Sequence, residues 1–302
     1  MEKHIVYIDI LRVIAIVLVI LFHFLYNVYL DNSLRYIGFA GISLFFIISG
    51  FLLAKKYPRL INFSLRWFVK RYVKIAVFYL LSMLAIAFLF WKQTYPGDLL
   101  ANILVHLTFL DPFFPQFAYS LISPAWFLVP LICLYLVFPY LNRFIKKDAR
   151  LLVVPFIAMA AVRIYSGALT SYSPLFFIGE FCFGIAFAYD KKNVAVLASL
   201  ITVLVNPIMF LPFAAFYVFS FFDFKALGRT RITSIIAANI IVPFLLHEAF
   251  FNIIFRKWTI YNTSIFVGLA IFLMTAIIIV YLSQKATNYI LSRSFMKLNK
   301  VN

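Results

Sequence analysis

Asp9, Arg12, His23 and Asn27 share one apolar run, DILRVIAIVLVILFHFLYN. Arg12 and His23 are eleven steps apart. On an α-helix that is three turns plus about 20°, so both leave the same face about 16 Å apart along the axis. Asp9 lies one turn before Arg12, and Asn27 one turn after His23. An ionisable group inside a spanning helix usually faces the bundle interior and marks a function. His23 can take a proton from a hydroxyl near neutral pH; a neutral histidine hydrogen-bonded between helices is the structural alternative. Arg12 has a structural alternative too: it can snorkel to the inner headgroups with Asp9 as its ion-pair partner.

Further ionisable groups interrupt apolar sequence elsewhere. His247 stands in VPFLLHEAFF with Glu248 beside it, and Glu180 in FFIGEFCFGIAF. With His23, the residues His247 and Glu180 point to one polar cavity in the outer half of the bundle. Lys70, Arg71 and Lys74 cluster in WFVKRYVKIAVFY, with Arg71 and Lys74 at i,i+3. Such a cluster either anchors to anionic lipid or clamps the phosphates of a nucleotide-like cosubstrate. Trp126, after Pro124, reads as an interfacial aromatic or as a stacking platform for a sugar.

These residues have to be positioned inside a membrane. The chain has 302 residues, 65% of them hydrophobic, and a mean hydropathy of +1.02. Soluble domains sit nearer half apolar. Apolar runs long enough to cross a bilayer recur along the sequence, so an all-α integral membrane protein is expected. Spans are predicted at about 8–30, 37–54, 73–91, 124–144, 151–165, 174–189, 194–205, 208–222, 234–255 and 264–282. The seventh and eighth are short pieces split at Asn206-Pro207. Merging them would invert everything that follows, and short helices are tolerated where protein covers them.

The net charge of +17 reads as cytoplasmic loop charge rather than as nucleic-acid binding. Ten spans with both termini cytoplasmic place 21 of the 27 Lys and Arg on one face and five on the other, with Arg12 inside the first span. Arg163 is counted among the five. The localisation expected is the cell membrane. The first apolar run is too long, and lacks the small-residue cleavage site, for a cleavable signal. The basic stretch 55–74 is predicted to form an interfacial helix between the second and third spans. Residues 99–110 are too short to span, and are expected to be re-entrant or to lie flat on the outer side. Cys133 and Cys182 show no metal or disulfide spacing and read as packing residues. No metal site is expected, and 1–302 reads as one transmembrane domain.

Taken together, the motifs resemble the membrane-bound acyltransferase 3 family over the whole chain. YIDILRVIAIVLVILFHF is similar to its first helix, with the Arg-x10-His motif at Arg12 and His23. FAGISLFFIISGFLL is similar to its second, with Phe45, Phe46, Ser49, Gly50 and Phe51 on the motif. FVKRYVKI resembles its Arg-x-x-Arg motif with Arg71 kept and Lys74 in the second place, a change that keeps charge but loses the guanidinium fork. SPAWFLVPLICLYLVFP resembles a helix of the sugar O-acetyltransferase branch. FLLHEAF resembles a Tyr-Leu-x-His stretch, with phenylalanine in place of tyrosine.

The resemblance implies a cytosolic acetyl-CoA donor, an acceptor modified on or near the outer face, and a first helix that carries the catalysis. Some members carry an extracytoplasmic esterase-like domain; none is expected here. On this reading Lys70, Arg71 and Lys74 hold the CoA phosphates. His23 acts as base or acyl carrier, and Arg12, oriented by Asp9, stabilises CoA or sets its entry. His247, Glu180, Trp126 and Asn27 stand on the acceptor side. The partners are acyl-CoA, a saccharide or lipid-linked acceptor, membrane lipid and, as an option, a second copy of the chain. The rival class is a transporter or flippase of a polysaccharide or lipid-linked intermediate, which ten spans and a polar cavity suit equally. Transport does not require Arg12 and His23 together with the basic cluster. An inactive scaffold that keeps the fold is the third reading.

Overall fold

The computed structural model describes residues 5–29, 31–89, 99–109, 114, 116–117, 122–165, 173–222, 239, 241–252 and 264–298. Every regular element among them is helical. The four helical stretches Val6–Tyr26, Arg35–Lys56, Leu65–Phe88 and Pro124–Lys147 are long and apolar enough to cross a membrane, and Pro174–Ala188, Lys192–Val205 and Pro207–Phe219 are shorter apolar ones. The chain divides into two compact units, residues 1–63 with 126–240, and residues 64–125 with 241–302.

In the first unit α1 (Val6–Tyr29) and α7 (Ile178–Ala188) both pack against α2 (Arg35–Lys56). Glycines set how closely α2 and α7 approach. A Cβ on Gly50 would land on the Phe181 carbonyl, and one on Gly184 would land on the Ile47 carbonyl. With backbone against backbone, van der Waals packing is dense where lipid offers no hydrophobic drive. Gly50→Ala is therefore expected to cost at least about 2 kcal/mol, read as a lowered unfolding temperature in detergent; an unchanged temperature would refute the close approach.

Phenylalanines fill the rest of this core. Phe46 stacks on Phe177 at 4.3 Å, and Phe216 of α10 (Leu211–Phe219) meets Phe51 and Phe187 edge-on. Around α7 stand α5 (Leu128–Lys147), α6 (Val153–Tyr165) and α8 (Lys192–Ser199). The helix α9 (Ile201–Val205) ends at Asn206, which is extended and accepts a hydrogen bond from the Ile208 N–H. With Pro207 next, this breaks the segment where the sequence places the split.

The expected interfacial helix over 55–74 is not a separate element. α2 runs on through Lys56, residues 57–64 are turn and coil, and α3 (Leu65–Leu89) begins a new helix. Pro58 has no N–H to continue α2, and the Ser64 hydroxyl accepts from the Trp67 N–H at the start of α3. In the first unit the turn is tied down. Buried Asn142 donates to the carbonyls of Tyr57 and Leu60, and its own side-chain oxygen accepts from the Tyr189 hydroxyl at 2.8 Å.

In the second unit α3 packs against α11 (Ile241–Asn252) and α12 (Ser264–Leu298). The last helix runs well past the predicted end at 282, because residues 283–298 contain no Gly or Pro to stop it. Of the predicted 234–255 span, only 239 and 241–252 are described. The short α4 (Leu99–Leu107) packs against α3. Tyr72 donates to the Leu107 carbonyl at 3.3 Å, and Phe109, with φ of 57°, stacks on Tyr79 at 4.9 Å.

Candidate functional site

α1 is helical throughout the stretch that carries the spaced residues, so the eleven-step geometry holds. Ile8, Leu11, Ala15, Ile16 and Val19 are buried, and Arg12 and His23 are half-buried. Ile16 and Val19 lie between Arg12 and His23 on the shared face. Arg12 Nη1 meets Asp9 Oδ1 at 3.2 Å, and Asp9 is nearly inaccessible. Tyr135 of α5 lies within electrostatic range of Arg12. The hydroxyl of Tyr135 was not singled out by spacing, since it sits on a different helix. At the other end of the face the His23 ring lies 4.7 Å from the Phe22 ring. Phe22 is in turn held where α2 offers only a glycine, since a Cβ on Gly38 would meet it at 2.6 Å. Asn27 lies in α1; its side chain is outside the described set.

Glu180 is buried, but not alone. Arg163 Nη2 reaches Glu180 Oε1 at 2.5 Å, and the Ser43 hydroxyl donates to the same oxygen at 3.0 Å. Arg163 also donates from Nε and Nη2 to the Phe176 carbonyl, and its guanidinium lies 4.8 Å from the centre of the Phe176 ring. Its side chain is 3% exposed. Arg163, counted with the charges of the outer side, is not a surface charge: a carboxylate and a carbonyl draw its side chain into the protein. The sequence does hold a signal for the pair. Arg163 is near the end of one predicted helix and Glu180 near the start of the next, which places them at similar depth.

Arg163, Ser43, Tyr36 and Met209 line a cavity of about 10 Å³ beside this pair, room for about one water. Trp126 packs over Phe39 and Phe177, with ring centres 6.4 and 6.0 Å away. Since Phe176 and Phe177 carry both contacts, Trp126 and Glu180 belong to one end of the first unit.

The remaining predicted residues lie in the second unit. Lys70 and Lys74 are exposed and Arg71 half-buried. They sit in the second and third turns of α3 rather than at its start, because α3 begins earlier than predicted. His247 is buried on α11, and its Nδ1 donates to the Phe244 carbonyl at 2.6 Å. A carbonyl can only accept, so Nδ1 carries a proton. Glu248 is half-buried. The sequence reading passed over His106, which α4 buries and which donates in the same way to the Asn102 carbonyl at 3.0 Å.

A family model described as an acyltransferase domain, of the acyltransferase 3 type, matches residues 5–301. Neither the curated proteins nor the solved structures give a significant match.

Proposed function

The chain belongs to the membrane-bound acyltransferase 3 family, matched over residues 5–301, and is a membrane acyltransferase; from that premise we propose that it is of the sugar O-acetyltransferase branch. It takes acetyl from cytosolic acetyl-CoA and delivers it to a hydroxyl of a cell-surface sugar, glycan or lipid-linked saccharide. Family membership decides for an enzyme over the transporter reading.

The observation that carries the proposal is the ordered face of α1. Arg12, fixed by Asp9, stands about 16 Å from His23 along the axis. The charge asymmetry supports a cell-membrane location with both termini in the cytoplasm, which puts Arg12 at the side where a soluble donor arrives. Lys70 and Lys74 hold the CoA phosphates as point charges, and Arg71 grips them bidentately.

In the direct route His23 takes the proton of the acceptor hydroxyl, whose oxygen attacks the thioester carbonyl. The C–S bond breaks and the CoA thiolate leaves, taking up that proton. In the relay route the His23 nitrogen attacks the thioester carbonyl first, the C–S bond breaks, and CoA leaves as the thiol with the imidazole N–H proton; the acceptor oxygen then displaces the imidazole, which takes up the hydroxyl proton. His247, Glu180, Trp126 and Asn27 serve the acceptor side. For Glu180 the role is to hold Arg163 at the cavity wall. The acceptor uses Trp126 as a stacking surface.

The test is the purified protein in liposomes with labelled acetyl-CoA and total envelope glycan. Label should move to glycan and free CoA should appear in equal amount. If acetyl-CoA is neither bound nor consumed, the donor assignment fails.

A further inference from the structure

Three buried hydroxyls in the second unit have no hydrogen-bond partner among the described residues: Ser82 of α3, and Ser283 and Thr287 of α12. Ser82 and Ser283 are fully buried and Thr287 is 7% exposed. Helical Ser and Thr can return their hydroxyl to a carbonyl of the preceding turn. Ser199 and Thr202 do so in this protein, but these three do not. A buried hydroxyl left unpaired costs about 1–3 kcal/mol, and three on two helices that pack together are an expense that packing does not explain.

Their placement gives the reason. Ser82 lies eleven residues after Arg71. It therefore shares the face of Arg71 and stands about 16 Å further along α3. That is the same spacing and angle that separate Arg12 from His23 on α1. Ser283 and Thr287 are i,i+4 and form one stripe of α12, continuing the buried line of Ala276 and Ile279. In the topology favoured by the charges, α12 returns to the cytoplasm, and Thr287 is the nearer of the two to that surface.

A ligand whose phosphates sit on Lys70, Arg71 and Lys74 and which extends along α3 must carry polar groups through an apolar seam. The pantetheine arm of CoA is such a ligand: a flexible chain of about this length with two secondary amides, each holding a donor and an acceptor. In an apolar setting each of these groups needs a partner. A hydroxyl rotates to give or accept as required.

We propose that Ser82, Ser283 and Thr287 bind the amides of the pantetheine arm along the α3–α12 seam. They guide the thioester inward from the basic cluster. The inference rests on the reading of Lys70, Arg71 and Lys74 as the CoA clamp. The three are positioning residues, with no part in bond making.

The experiment measures binding of acetyl-CoA, and separately of adenosine bisphosphate, which carries nucleotide phosphates but no pantetheine arm. The proteins are the intact chain, Ser82→Ala, Thr287→Val and Thr287→Ser. Val keeps the shape of Thr without its hydroxyl, and Ser keeps the hydroxyl. The expected result is acetyl-CoA affinity lowered about five- to tenfold in Ser82→Ala and Thr287→Val, and restored toward the parent in Thr287→Ser. Affinity for adenosine bisphosphate should stay the same in all four, and KM for acetyl-CoA should rise while kcat holds. Unchanged acetyl-CoA affinity in Ser82→Ala and Thr287→Val overturns the proposal and leaves the phosphate clamp standing. Equal losses for both ligands overturn it as well, since they report a damaged fold. If the intact chain binds adenosine bisphosphate but gains nothing from the pantetheine arm, the seam is not its path. If it binds neither ligand, the CoA clamp itself falls.

Discussion

His23→Ala is expected to lower acyl transfer by at least about a hundredfold, with the unfolding temperature in detergent within a few degrees of the parent. The physical case is that His23 is half-buried at the edge of the α1–α2 packing face and not at its centre. Ala15 and Val19 meet α2 at Gly41, and they stay in the variant. Removing the imidazole takes away the base, or the acyl carrier, together with its contact with the Phe22 ring. The two routes separate in the same experiment. Under the relay, the parent incubated with labelled acetyl-CoA and no acceptor retains label on His23, and His23→Ala retains none. Under direct attack neither protein is labelled, and the rate law requires both substrates bound together. A variant that folds and transfers acetyl at the parental rate would remove His23 from the chemistry altogether.

The comparison with Arg12 sharpens this. Arg12→Ala removes a charge fixed by Asp9 at 3.2 Å and leaves an almost inaccessible carboxylate without that partner. Its effect therefore mixes stability with function. His23→Ala is the cleaner probe because it leaves the Arg12–Asp9 ion pair in place.

What could be read in advance follows from the range of the interactions involved. The helical face of Asp9, Arg12 and His23 is a local property of one element, so spacing alone defines it. The break at Asn206-Pro207 is local too: an Asn side chain accepting from the N–H two residues on, followed by a residue with no N–H. The start of α3 was misplaced because basic interfacial sequence and apolar spanning sequence share one helical period. What separates them from α2 is Pro58 together with the Asn142 anchor, and Asn142 is more than 80 residues away. The docking of α4 on α3 depends on Tyr72 and Tyr79 receiving Leu107 and Phe109, contacts with no signature in hydropathy. The partner of Glu180 was hidden for a different reason. Counting charges for topology assigns each arginine to a surface, and that bookkeeping has no place for one folded inward.

Arg163→Met and Glu180→Leu, made singly, are each expected to destabilise the protein by about 3–5 kcal/mol, because each leaves the partner buried without its counter-charge. Arg163 would keep the Phe176 carbonyl, and Glu180 would keep the Ser43 hydroxyl. Neither contact replaces the lost ion. Arg163→Met combined with Glu180→Leu should recover most of that loss, since an apolar pair of similar volume no longer has to be desolvated as ions. The losses are therefore strongly non-additive, and unfolding temperatures of the four proteins measure the coupling directly. The recovered double variant then answers the functional question that the single ones cannot. With Arg163 at the cavity wall beside Ser43 and Tyr36, and Trp126 on the same Phe177, the pair stands where the acceptor is proposed to bind. The double variant is expected to raise KM for the acceptor while leaving KM for acetyl-CoA unchanged, because the donor clamp lies on α3. Parental acceptor KM in a stable double variant would reduce the pair to a strut between α2, α6 and α7. The acceptor would then have to be placed by Trp126, His247 and Asn27 alone.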